Sequence, residues 1–284
     1  MSDMDQDTCE WQCYLDHNCV SINLQFEGTQ KNCELNNSTH YEHHEDLIAA
    51  HDHFYRGTEN ACGGSPCKNN ATCQSGFTSK RYHCLCAPGF IGHNCGLEFS
   101  INSVILLNNE DYLSHLHQFL VPAVGNASHW LLCYRASRDS HIDQDFRDQC
   151  KGKKDTITIV KENGFVFGGY VDIPWVSTRK FQYGETPNAF IFSLHNSEHC
   201  GAFKSTIKNP ERAIFDHIYL RPTFGTDDIR IDRNDHLQSV ANFSNDYFLP
   251  SKVTIQNPQT ILAGVLHFKP DEVEVFYLEK KTQP

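Results

Sequence analysis

The sequence predicts a multidomain, mainly β protein of α+β character, in which small disulfide-rich modules precede a larger domain of antiparallel sheets with few helices. Three observations carry this. The chain has 284 residues, and at roughly 150 residues per domain that is two domains, or one plus small modules. Its 13 cysteines are unevenly placed, ten before residue 101 and only Cys133, Cys150 and Cys200 after it. From Ser103 onward, strand-like apolar alternations follow one another with turn signals between them.

Hydrophobic residues make up 39% and charged residues 21%, ordinary globular usage that excludes disorder and collagen. The longest apolar runs, such as Ala189 to Leu194, fall far below the roughly 20 residues of a bilayer-spanning helix, so no transmembrane segment is expected. Nucleic acid is excluded as a partner too. The 35 acidic and 24 basic residues give a formal charge of −11, and no Lys/Arg cluster is present to neutralise phosphates. The first 100 residues hold 5 basic and 13 acidic side chains (−8), the remainder 19 and 22 (−3). An acidic, cysteine-dense front of this size belongs to an oxidising compartment, where disulfides replace a core too small to hold itself together. Against this, the start MSDMDQDTCEW has neither the basic nor the apolar stretch of a secretion signal.

At the front, Cys9 and Cys13 stand one helical turn apart, Cys19 precedes a strand-like VSINLQF, and Cys33 opens a second strand. Two bridges would staple such a helix to its hairpin. The arrangement resembles a PAN/apple module over residues 1–58, and the resemblance implies the pairs Cys9 with Cys33 and Cys13 with Cys19. PAN modules have a first strand before the helix, whereas eight residues precede Cys9. The chain is therefore expected to be a fragment of a longer product, whose upstream part held that strand and the secretion signal. His40, His43, His44, His51 and His53 read as a solvated excursion of this module rather than as metal ligands.

In residues 62 to 95, six cysteines are separated by 4, 5, 10, 1 and 8 residues. Cysteine count alone leaves their connectivity open. The single residue between Cys84 and Cys86 cannot supply the CxxC knuckle of a zinc site. With the Gly89, Phe90 and Gly92 turn ahead of the last cysteine, the spacing resembles an EGF-like module over residues 59–96. That resemblance implies Cys62 with Cys73, Cys67 with Cys84, and Cys86 with Cys95. Only Glu59 and Asn60 stand where calcium-binding modules carry an acidic cluster, so calcium is not expected. Thr72, directly before Cys73, matches the O-fucose acceptor pattern of such modules. Asn36, Asn37, Asn70, Asn126 and Asn242 each begin an N-glycosylation sequon.

Residues 97–102 read as a linker and 103–280 as the large domain. Asn109 is placed to cap a helix EDYLSHLHQFL, with Leu113, Leu116, Phe119 and Leu120 on one stripe. Strands follow at WLLCYRAS, TITIVK, FVFGGYV, AFIFSLH, IRIDR and VEVFYLE. Glu162, Asn163 and Gly164 mark a hairpin, because Asn and Gly tolerate positive φ. Strands joined this way argue antiparallel sheets packed face to face. The blocks LLCYRASRDS at 131 to 140, FRDQC to DIPW at 146 to 175, AFIFSL at 189 to 194, FGTDDIRI at 224 to 231 and FKPDEVEVFYLE at 268 to 279 resemble, in that order, a TLDc domain. The resemblance implies a β-sandwich of two antiparallel sheets with flanking helices. It also implies a tie to protection from oxidative damage, binding of the proton-pumping V-ATPase by several members, and no accepted active site.

The residues themselves offer little chemistry. There is no GxSxG, HExxH or P-loop, and no GxGxxG running from strand to helix, so neither enzyme activity nor a cofactor is expected. Gly168 and Gly169 inside a strand mark a bulge or close sheet packing. His195, His199 and Cys200 form the best zinc candidate, and Cys200 the best candidate for a redox thiol. Cys133 and Cys150 read as small buried hydrophobes. Asp227, Asp228, Asp232 and Asp235 read as a solvated loop, and Arg135 and Arg138 beside Asp139 as a structural ion-pair corner. The expected function is that of a non-enzymatic extracellular or cell-surface interaction or adhesion protein with a protein or carbohydrate partner. The alternative is an oxidative-stress-protective or V-ATPase-regulating protein.

Overall fold

A computed structural model describes residues 5–16, 19–27, 30–40, 43–57, 61–75, 81–107, 109–139, 143–176, 180–217, 220–232, 238–249 and 257–279. Glu59, Asn60 and Asp235 lie outside the described residues. The chain divides into two compact units, Met1–Glu98 and Phe99–Pro284.

In the first unit, the helix Gln6–Leu15 begins at Asp5, whose carboxylate accepts the Thr8 amide at 2.8 Å and so satisfies one of the orphan donors of a helix start. Cys9 and Cys13 are buried on its inner face against Ile22 and Leu24. These two belong to the central strand of an antiparallel sheet ordered Gln30–Asn36, Ser21–Glu27, His53–Gly57. Alternation along Ser21–Glu27 sends Ile22 and Leu24 to the helix and Asn23 and Gln25 to the other face. Covalent bonds hold this small core: Cys9 is joined to Cys33 and Cys13 to Cys19. The turn His44–Asp46 contributes no buried residue, while the His40 ring meets Tyr55 edge-on at 5.4 Å. Farther along, the hairpin of Thr72–Ser75 and Tyr82–Leu85 sets Cys73 opposite Cys84. Disulfides join Cys62 to Cys73, Cys67 to Cys84, and Cys86 to Cys95.

The second unit is a β-sandwich. Its larger sheet runs in the order Phe203–Thr206, Phe190–His195, Phe165–Val171, Thr156–Glu162, Glu272–Leu278, Ser128–Arg135. The smaller one is ordered Gln182–Gly184, Ile214–Asp216, Thr223–Phe224, Ile229–Arg230, Ser239–Val240, His267–Phe268. Val160, Phe167, Ile191, Val273 and Val275 of the first sheet share one core with Ile214, Phe224, Ile229 and Phe268 of the second. The glycine pair sits where this packing is tightest. A Cβ on Gly168 would collide with the Thr158 carbonyl oxygen, and one on Gly169 would lie 2.5 Å from the Phe224 ring. The hairpin after Thr156–Glu162 turns at Asn163 and Gly164, at φ 47° and 86°, the left-handed pair that a two-residue turn requires.

Several readings from sequence are corrected. The stretch taken as a linker is the strand Leu97–Ile101, and its Phe99 to Ile101 run parallel to Ser128 to Trp130, so the sheets are not purely antiparallel. The capped helix extends through Pro122 to Val124. Lys204 Nζ donates to the Phe119 carbonyl at 2.7 Å, close to the step where proline supplies no N–H. Among the described residues of IRIDR, only Ile229–Arg230 form a strand. Cys133 and Cys150 are not free hydrophobes but a disulfide, joining the strand Ser128–Arg135 to the helix Asp143–Cys150. Asp228 is not solvated: it is fully buried, and the amides of Ser244, Asn245 and Asp246 donate to its carboxylate at 2.8–2.9 Å. Short-range turn chemistry makes Asp common in loops, but the partners that draw this one inward lie 16 to 18 residues away.

Candidate interaction surface

The charged corner read from YRASRD splits into two. Arg138 donates to both Asp139 oxygens at 2.6 Å, and the Arg135 amide donates to the same carboxylate at 2.8 Å. Burial pushes the Asp139 carboxyl up, but the bonds from Arg138 and the Arg135 amide outweigh it and hold the group below its ordinary range. The Arg135 guanidinium goes elsewhere. Its Nε and one Nη reach Glu274 Oε1 at 2.7 and 2.6 Å. Glu274, wholly buried, also accepts from the Ser103 hydroxyl and from the amides of Val104 and Ile105 at 3.2 and 3.3 Å. These bonds tie the segment entering the domain, Ser103 to Ile105, to the strand Ser128–Arg135.

The LHNSEHC loop gathers its residues loosely. The rings of His195 and His199 are 5.9 Å apart, His195 Nδ1 donates to the Gly164 carbonyl at 3.0 Å, and the Cys200 thiol donates to Asn196 Oδ1 at 3.3 Å. Among the described residues, no group of three His, Cys, Asp or Glu side chains is arranged to hold a metal ion. Cys200 is the free cysteine. Burial pushes its thiol above the ordinary value, which leaves little thiolate for redox chemistry at neutral pH. Of the sequon residues, Asn37, Asn70 and Asn126 are exposed, Asn36 and Asn242 half-buried, and Thr72 is exposed.

The feature with the character of a binding surface was not read from sequence. Gln182–Gly184 is the outer strand of the smaller sheet, and it pairs Tyr183 with Phe215 and Gly184 with Ile214. Ile214 faces the core, so alternation turns Tyr183 and Phe215 outward. Phe181 and His217, two positions along each strand, complete an array of four rings. The Phe181 ring lies parallel to His217 at 3.7 Å and to Phe215 at 5.7 Å, each within 9°. Tyr183 is 4.9 Å from Phe215, and the Arg212 guanidinium sits 5.6 Å from the Tyr183 centroid. Asp216, on the inner side, accepts the Val176 amide at 2.6 Å and anchors the neighbouring loop. Phe181 is 68% and Tyr183 41% exposed, while His217 beneath Phe181 is buried. Single exposed apolar side chains are ordinary, but a contiguous ring array rimmed by a guanidinium has the composition of an interface centre. The signal in the sequence is the alternation Phe181, Tyr183 and Phe215, His217, which runs one residue beyond strands of three residues.

Comparisons with known families match two parts of the chain. The profile of the TLDc domain matches residues 101–279, and that of the EGF-like domain matches residues 62–94. Both domains fit a non-catalytic role in protein interaction. No described helix is long and apolar enough to cross a membrane.

Proposed function

Because the chain belongs to the TLDc-domain family, with that domain filling residues 101–279 behind an EGF-like module, we propose that it is a non-enzymatic extracellular interaction protein that engages a partner protein through the rings of Phe181, Tyr183 and Phe215 and the Arg212 guanidinium beside them. The single observation that carries this reading is the array itself, Phe181, Tyr183 and Phe215 gathered across the two outer strands of the sheet over the buried ring of His217. A rigid aromatic patch loses little side-chain entropy on contact and gains from the water it sheds. The thiols support the proposed setting. Bonds join Cys133 to Cys150 within the TLDc domain as well as ten cysteines ahead of it, a pattern that supports an oxidising compartment. Residues 1–58 are proposed to act as a partial PAN/apple module, a reading supported by the helix pinned through Cys9–Cys33 and Cys13–Cys19. The TLDc link to oxidative-stress resistance remains the competing function.

Cell-surface binding of the purified chain tests the array. Phe181→Ala combined with Tyr183→Ala is expected to weaken binding by about tenfold or more, the scale of an interface centre. Thermal stability is expected to change little, since both side chains are well exposed. Binding undiminished in the double variant removes the array from the contact, and binding abolished by soluble oligosaccharide identifies a glycan partner instead.

A further inference from the structure

Two loops of the TLDc domain hold each other by exchanging carboxylates. Asp228 Oδ1 accepts the amides of Ser244 and Asn245 at 2.8 and 2.9 Å, and Oδ2 accepts that of Asp246 at 2.8 Å. In return Asp246, itself buried, accepts the Thr226 amide, the Thr226 hydroxyl and the Asn209 side-chain amide, each at 2.8 Å. Gly225 permits the approach: its φ is 62°, and a Cβ added there would collide with Asp228 Oδ2. Successive backbone amides are a good cradle for an anion, but two anions buried in adjoining cradles repel each other.

The charges around the pair leave Asp228 uncompensated. Asp227, its chain neighbour, is bonded to Arg230 at 2.5 Å. Lys208 donates to the Ser244 carbonyl at 2.8 Å. Arg212 favours the charged form of Asp246. Tyr247 donates to the Ala213 carbonyl at 2.6 Å and is kept neutral by burial and by both carboxylates. No Lys, Arg or His among the described residues hydrogen-bonds Asp228.

We propose that this reciprocal clasp is an acid-tightened latch: Asp228 takes up one proton in mildly acidic surroundings while Asp246 stays ionised, and the Gly225–Asp228 and Ser244–Tyr247 turns bind each other more firmly in acid than at neutral pH. Burial first, and the Asp246 charge with it, outweighs the three amide bonds and raises Asp228 to about 6. Burial also works against Asp246, but its bonds from Asn209 and Thr226 prevail and hold it below the ordinary range. The sign follows from linkage. A carboxyl whose folded pKa lies above its unfolded value of about 3.9 stabilises the fold below that value and loses its contribution as pH rises through about 6. Asp246 acts oppositely, its contribution lost as pH falls below the carboxylate range. The latch is firmest near pH 4, and the Asp228 contribution is mostly gone by about pH 6.

Urea unfolding of the full chain between pH 4.5 and 7.5, with carbon-13 carboxyl titration, tests this. The wild type is expected to lose a factor on the order of 10 to 100 in its folding equilibrium toward neutral pH, and Asp228→Asn to flatten that slope. One carboxyl resonance is expected to titrate near pH 6 and to be missing in Asp228→Asn. If that variant does not fold, Asp246→Asn decides, because relief of the repulsion is expected to move the same titration downward. A wild-type chain with no carboxyl titrating above pH 5, or a slope identical in wild type and Asp228→Asn, overturns the proposal.

Discussion

Glu274→Ala is expected to destabilise the TLDc domain by about 3–5 kcal/mol, the cost of removing one partner from a buried ion pair. Glu274 is fully buried in the strand Glu272–Leu278. Its loss leaves the Arg135 guanidinium, whose side chain is only 16% exposed, without its anion. It also strands the Ser103 hydroxyl and the amides of Val104 and Ile105, which hold the turn before the helix Glu110–Val124. At roughly 2–4 °C per kcal/mol for a domain of this size, the melting temperature falls by about 6–20 °C. Glu274→Gln keeps the shape and one acceptor, so a loss of about 1–3 kcal/mol is expected. Calorimetry of the three proteins checks the order wild type, Gln, Ala. Equal loss in Gln and Ala would show that charge, not hydrogen bonding, accounts for the whole effect.

Replacing Cys133 and Cys150 by serine is expected to cost about 3 kcal/mol, the loop-closure contribution of a bridge across 17 residues. The bond holds the helix Asp143–Cys150, whose Phe146 ring packs edge-on against Tyr134 at 5.8 Å and Trp175 at 5.9 Å. Gln149 of the same helix accepts from Arg138 at 3.2 Å, so the Arg138–Asp139 corner loosens with it. Reductant is expected to lower the TLDc unfolding transition of the wild type by the same amount and to leave that of the serine variant unchanged, since the other five bridges lie ahead of that domain. Equal stability of the reduced and oxidised wild type would place the bridge outside the energetics of the domain.

What could be read from the sequence was chemistry carried by neighbouring residues. Asn109 caps its helix by accepting the Tyr112 amide at 3.0 Å, and Asn163–Gly164 turns the hairpin, because both act within three positions. Ordered blocks of strand residues pointed to the sandwich. Illegible were bonds whose partners meet only after folding. Arg135 stands beside Asp139 in sequence, yet its guanidinium chooses Glu274, 139 positions away, because that carboxylate is buried without another cation in its bonding shell among the described residues. Asp228 looks like a turn aspartate until the Ser244–Asp246 amides are brought over it. Cys133 and Cys150 look like apolar filler because nothing local shows their Cα atoms coming within 5.4 Å. The aromatic array escaped notice because strands of three residues are too short for alternation to stand out.

Mass spectrometry of the protein from its native source, alkylated before any reduction, tests the extracellular interaction reading most directly. One alkylated thiol per chain is expected, at Cys200. The bridges Cys62–Cys73, Cys67–Cys84, Cys86–Cys95 and Cys133–Cys150 are expected to be intact, with sugar on exposed Asn70 or Asn126. Free alkylation of those eight cysteines would contradict the oxidised, extracellular setting and turn the search for a partner to the V-ATPase.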